Sequence, residues 1–136
     1  MKLLTIFTGL TFTVLAAVFS VPAMAEDQEI TSVSSELMAK CNNYPKQPNI
    51  PNGTKATMDE MVAAQKVIKA YQAESLNYRS CVDKTMAAWD TQGGTEEEIG
   101  KKKDIAITWY NRSVADEEEV ANLFNTALRA YKGKPQ

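Results

Sequence analysis

From residue 57 onward, apolar side chains recur at steps of three and four. Met61, Ala64, Ile68, Tyr71, Tyr78, Val82, Met86 and Trp89 follow this spacing, with Ser75 in the one gap. Such a period predicts an amphipathic helix. Its start is marked by Thr57-Met58-Asp59-Glu60, a capping box in which Thr57 takes the amide of Glu60 and Glu60 reaches back to Thr57. Gly93 and Gly94 follow Asp90, as expected past a helix C-terminus. A second capping box, Thr95 with Glu98, then opens a second stripe through Ile99, Ala106, Tyr110, Val114, Ala121, Phe124, Leu128 and Tyr131. Arg129 and Lys132 suit the negative end of its dipole, and Gly133 and Pro135 stop it. Gly100 is the one poor helix former near its start and marks either a bend or a late beginning.

Two helices of more than thirty residues joined by a Gly-Gly turn predict a long antiparallel hairpin over 57–136. Folding it about residues 92 and 93 with equal rise places Ile105 opposite Ser80 and Trp109 opposite Leu76. A hairpin buries one stripe per helix, yet Ile105 to Tyr110 is apolar nearly all the way round, so a further element must cover it. Residues 26–56 supply one. Ile30, Val33, Leu37 and Cys41 are spaced three and four apart, which reads as a short helix over Glu29–Cys41. Pro45, Pro48 and Pro51 then hold the chain extended up to the turn at Asn52-Gly53. The Thr57–Cys81 stretch of helix spans about 36 Å, and the 16 steps from Cys41 to Thr57 reach about 50 Å in polyproline form, so the segment can return from Cys81 to the helix start. The expected architecture is therefore all-α: a long antiparallel helical hairpin with a short N-terminal helix and a proline-rich extended segment packed along it.

The first 25 residues form a different pattern. Lys2 precedes an uncharged run from Leu3 to Val21, and Ala23-Met24-Ala25 leads into the acidic Glu26. This is the layout of a cleavable secretory leader with its cut between Ala25 and Glu26; an uncleaved anchor is the other reading of so long an apolar run. The leader points to a periplasmic or secreted protein of a Gram-negative bacterium, with no stable membrane insertion after cleavage. Net charge is −2 for the whole chain and −3 once Lys2 leaves with the leader. That mild acidity argues against nucleic acid as partner. Cys41 and Cys81 both lie beyond the cut, and two cysteines in an exported chain point to a single disulfide, the other reading being two buried thiols.

Catalytic chemistry finds little to use. The chain has no histidine, the commonest general base and transition-metal ligand. It also lacks a Cys-x-x-Cys pair, a glycine-rich phosphate loop and a Gly-x-Ser-x-Gly elbow. Asp116-Glu117-Glu118-Glu119 is the densest anionic run, without the turn geometry of a calcium loop. Met58 and Met61 could offer thioethers to copper(I), but core packing explains them more simply. Asn52-Gly53-Thr54 and Asn111-Arg112-Ser113 match glycosylation acceptor triplets, which arise often by chance. No catalytic residue, cofactor or metal ligand is therefore assigned.

The stretch "PNIPNGTKATMDEMVAAQKVIKAY", followed by Tyr78, Cys81 and "VANLFNTALRAYKGK", resembles a family of small exported proteobacterial proteins of uncharacterised function. That family carries a Pro-x-Ile-Pro-Asp-Gly segment, and Asn52 stands here in place of its Asp. The resemblance runs from Pro45 to Lys134 and implies fold and compartment but no activity. The expected function is non-enzymatic, by contact with another envelope protein or with a second copy in a four-helix bundle. The competing expectation is a small-ligand or metal binder using the pocket where short helix, strut and hairpin meet.

Overall fold

The computed structural model describes residues 23–133 of the 136-residue chain, so the expected leader lies outside the described residues except for its last three positions. Among the described residues there are three helices and no strand: α1 (Ala23–Cys41), α2 (Met58–Trp89) and α3 (Glu96–Lys132). The three pack together, each against the other two. No helix among the described residues is long and apolar enough to cross a membrane.

Helix α1 begins earlier than its apolar spacing required, because Ala23 to Ala25 are good helix formers and put Ala25 and Glu26 in its first turn. Val33, Leu37 and Cys41 are buried as expected, whereas Ile30 is 43% exposed. Neighbouring Glu29 shares a shallow cavity with Trp89, Gln92, Gly94 and Ile99, so this end of α1 lies beside the interhelical loop. Asn42, with φ of 62°, ends α1 in the left-handed conformation that Asn tolerates.

Both capping boxes form. Thr57 donates its amide to Glu60 Oε2 at 2.7 Å and accepts from the Glu60 amide at 3.2 Å. Thr95 does the same with Glu98 at 2.9 and 3.2 Å. The loop between α2 and α3 is asymmetric. Thr91 and Gln92 still bond back to Ala88 and Trp89, while Gly93 and Gly94 open the chain at φ of 84° and 134°. This asymmetry moves the pairing about one to two helical turns from the register expected for equal rise. Lys103 reaches Asp90, Arg79 reaches Ser113, Ile68 packs with Val120, and Met61 packs with Ala127. Leu76, expected opposite Trp109, is instead 62% exposed.

The buried line of α2 alternates strictly by three and four: Met61, Ala64, Ile68, Tyr71, Ser75, Tyr78, Val82, Thr85 and Trp89. Thr85 takes the place expected for Met86. On α3 the buried line is Ala106, Ser113, Val120 and Ala127, one residue every seventh, and only Ala106 belongs to the expected stripe. A seven-residue repeat slips about 20° per repeat against a straight helix, so steps chosen for the largest side chains drift off the contact line. The line itself takes small residues, which let α2 approach. Tyr110, Val114, Ala121, Phe124, Leu128 and Tyr131 are displaced to one flank, where they are only half-buried.

Gly100 lies inside α3, and an added Cβ there would meet nothing within 4 Å. Gly100→Ala is therefore expected to stabilise the fold by about 0.5–1 kcal/mol, read as a raised urea midpoint. Gly53 behaves in the opposite way. A Cβ on it would overlap the backbone carbonyl of Ala127, which cannot move aside as a side chain could. Gly53→Ala is expected to cost about 1–3 kcal/mol and to deprotect the amides of residues 50–56 in hydrogen exchange.

Candidate functional site

Where α1 ends, the chain crosses both long helices, and here the disulfide meets a cluster of aromatic rings. Cys41 and Cys81 are joined by a disulfide, with Cα atoms 5.4 Å apart. Thr85 is one turn beyond Cys81, which sets its hydroxyl beside both sulfurs, at 3.6 Å from Cys41 Sγ and 4.0 Å from Cys81 Sγ. Three residues past Cys41, the Tyr44 ring meets Tyr78 edge-on at 5.2 Å and Trp109 at 5.7 Å. The Arg112 guanidinium lies 5.7 Å and 5.5 Å from the Tyr44 and Trp109 ring centres, a cation–π contact with both.

Polar anchors surround this cluster. Tyr44 donates its hydroxyl to Asp116 at 2.7 Å, and Trp109 Nε1 donates to Ser34 Oγ at 3.0 Å. Trp89 Nε1 donates to Glu36 at 3.0 Å, and the same carboxylate pairs with Lys40 at 2.7 Å. The Lys40 hydrogen bond holds Glu36 below the ordinary carboxylate range, against the opposing effect of burial. Burial first, and then the Asp116 carboxylate, push the Tyr44 phenol far above its ordinary value. Burial also raises Tyr71 and Tyr78.

A raised folded pKa contributes stability that is complete below the unfolded value and is lost as pH climbs past it. For Tyr44 that window opens near pH 10. Tyr44→Phe is expected to cost ~1–2 kcal/mol at neutral pH by leaving Asp116 without its donor, and to flatten the fall in Tm above pH 10. Thermal melts of both proteins across pH 7–11 measure the two effects together.

Beside the disulfide lies an open polar cavity of about 390 Å³, bordered by Lys40, Asn42, Asn43, Glu74, Asn77 and Tyr78. Its amides and charges can hold a polar molecule by hydrogen bonds. A second hollow of about 280 Å³ lies near the start of α2, lined by Met58, Met61, Val62, Phe124, Leu128 and Tyr131. Met61 is buried and Met58 is 61% exposed, so the two thioethers serve apolar surfaces. Among the described residues, no three His, Cys, Asp or Glu side chains converge as a metal-ligand set.

Of the residues singled out by sequence, Cys41 and Cys81 meet at this junction. Thr57–Glu60 and Thr95–Glu98 cap helices away from it, and Ala25 and Glu26 lie at the far end of α1. The acidic run is put to uses its spacing did not announce. Asp116 accepts from Tyr44, Glu119 accepts from Gln47, and Glu117 pairs with Arg79 at 2.8 Å. Three of its four carboxylates thus fasten other elements to α3. The register expected from the sequence placed Arg79 opposite Ala106, eleven residues from Glu117, so it gave no signal for this pair. No protein-family model, curated protein or solved structure matches this chain.

Proposed function

We propose that this is an exported, non-enzymatic protein of the bacterial envelope, a member of the small proteobacterial family it resembles, that acts through protein–protein contact. In this reading α2 and α3 form a rigid antiparallel hairpin, with α1 and the proline-rich segment fastened along one side of it. The carrying observation is where the polar groups are spent. The disulfide, Tyr44–Asp116, Trp109–Ser34, Trp89–Glu36 and Arg79–Glu117 all join one element to another, and the opposite flank of the long helices keeps a half-buried apolar row. Rigid elongated surfaces suit recognition, since little order is lost on binding.

The test is photo-crosslinking in intact cells from positions along α2 and α3, followed by mass spectrometry of the adducts. One or two discrete adducts, reproduced from adjacent positions, support the reading. Turnover of a defined substrate by the purified protein, together with no discrete adduct, overturns it.

A second reading is favoured by the polar cavity at the disulfide: a small hydrogen-bonding ligand held by Asn42, Asn43 and Asn77. A thermal-shift screen separates the two, because a ligand present at one hundred times its Kd raises stability by about 2.7 kcal/mol. Loss of that shift in Asn77→Ala would place the ligand in this cavity.

A further inference from the structure

The covered and uncovered flanks of the long helices differ. On one flank Tyr44 reaches Asp116, Arg112 and Trp109, and Ile50 packs on the cluster of Ile68, Tyr71 and Val120. On the other flank the seven-residue repeat aligns Val62, Lys69, Leu76 and Asp83 along α2, beside Ile107, Val114, Ala121 and Leu128 along α3. No element among the described residues covers Leu76, 62% exposed, Ile107, 44% exposed, or Val62, 43% exposed.

We infer that a second copy of this chain docks on this flank, back to back and antiparallel, about a twofold axis that crosses α2 at Leu76. This rests on the reading of the protein as one that works by contact and names the partner.

The charge pattern carries the inference. Lys69 and Asp83 stand seven residues before and after Leu76, at the same position of the repeat and with opposite charge. Both are exposed and take no part in the ion pairs formed among the described residues. Each is therefore displaced about 10 Å along the helix from Leu76, in opposite directions. A perpendicular twofold axis at Leu76 lays Lys69 on the partner's Asp83 and Asp83 on the partner's Lys69. Leu76 then meets the partner's Leu76. The pairing of α2 with α3, through Ile68–Val120 and Arg79–Ser113, puts the same axis near Val114 on α3, so Val114 faces the partner's Val114. An arrangement that is its own complement under a half-turn is what an isologous dimer requires, and an unrelated partner gives no reason for the symmetry.

Area points the same way. An overlap of about 40 Å along two helices that together span about 20 Å gives about 800 Å² per copy, the footprint of a standard interface.

Analytical ultracentrifugation of the oxidised, processed protein tests this. The wild type is expected to sediment with the mass of two chains at micromolar concentration and above. Leu76→Glu, which sets two carboxylates against each other on the axis, is expected to sediment as one chain. Its substitution is at an exposed site, and a helical circular-dichroism spectrum with a cooperative melt confirms that the monomer is folded. Lys69→Asp and Asp83→Lys should each weaken association at least about tenfold, and the double exchange should restore it. A cysteine at Leu76→Cys should form a covalent dimer on oxidation, and one at Val67→Cys, exposed on the opposite side of α2, should not.

A wild type that remains one chain at every concentration overturns the inference, as does a Leu76→Glu protein that still dimerises or a double exchange that fails to rescue. A monomeric wild type that still gives discrete adducts to another protein in cells leaves the contact reading standing and removes only this partner. A monomer that gives no adducts and turns over a defined substrate removes both.

Discussion

Reducing the Cys41–Cys81 disulfide, or replacing Cys81→Ser together with Cys41→Ser, is expected to lower stability by about 4 kcal/mol and Tm by more than about 10 °C. The bond closes a separation of 40 residues, and loop-closure entropy for a ring of that size gives the figure. Loss should not be uniform along the chain. Val33, Leu37 and Tyr44 depend on the bond to stay against α2 and α3, whereas Met61, Ile68 and Tyr71 pack on Val120 and Ala127 below it. Hydrogen exchange of the reduced protein should show α1 opening first and the lower half of α2 protected longest. Equal deprotection of both regions would show that the crosslink holds the whole fold and not chiefly α1.

The second large effect is expected at Trp89. Its ring is 2% exposed at the end of the upper core, and its Nε1 donates to Glu36 on α1. Trp89→Ala removes an aromatic side chain from a packed site and is expected to cost about 3–5 kcal/mol. Trp89→Phe keeps most of the buried surface and loses the hydrogen bond, so it should cost ~1–2 kcal/mol. Denaturant titration of the two variants, followed through the remaining Trp109, measures both. Equal costs for Phe and Ala would mean that the Glu36 hydrogen bond, not the ring, is what Trp89 contributes.

Much of this fold is written locally. Thr57 with Glu60 and Thr95 with Glu98 announce helix starts because a cap is made within four residues of chain. The α2 line from Met61 to Trp89 is legible because its side chains are large and the period is kept for nine positions. The α3 line is harder to read. Ala106, Ser113, Val120 and Ala127 are chosen for smallness, and smallness leaves no hydrophobic peak. The larger neighbours Tyr110, Phe124 and Leu128 dominate the pattern and sit one step aside. The junction was legible only in its sulfurs. Tyr44 with Asp116 and Arg79 with Glu117 are separated by 72 and 38 positions, and nothing near either residue specifies the other. Such pairs follow from register, which the asymmetric Gly93-Gly94 loop shifted by one turn or more.

The bond between Cys41 and Cys81 also makes a covalent ring of the chain between them, and Lys46 and Lys55 are exposed within that ring, in the segment that has no helix. A protease that cuts after either lysine opens the ring without separating the molecule: the fragment bearing α1 stays attached to the fragment bearing all of α2 and α3. Nicked protein would keep its full mass until a reductant reached it. In an oxidising compartment patrolled by trypsin-like enzymes, one cut there is survivable, and its trace would appear only on a reducing gel.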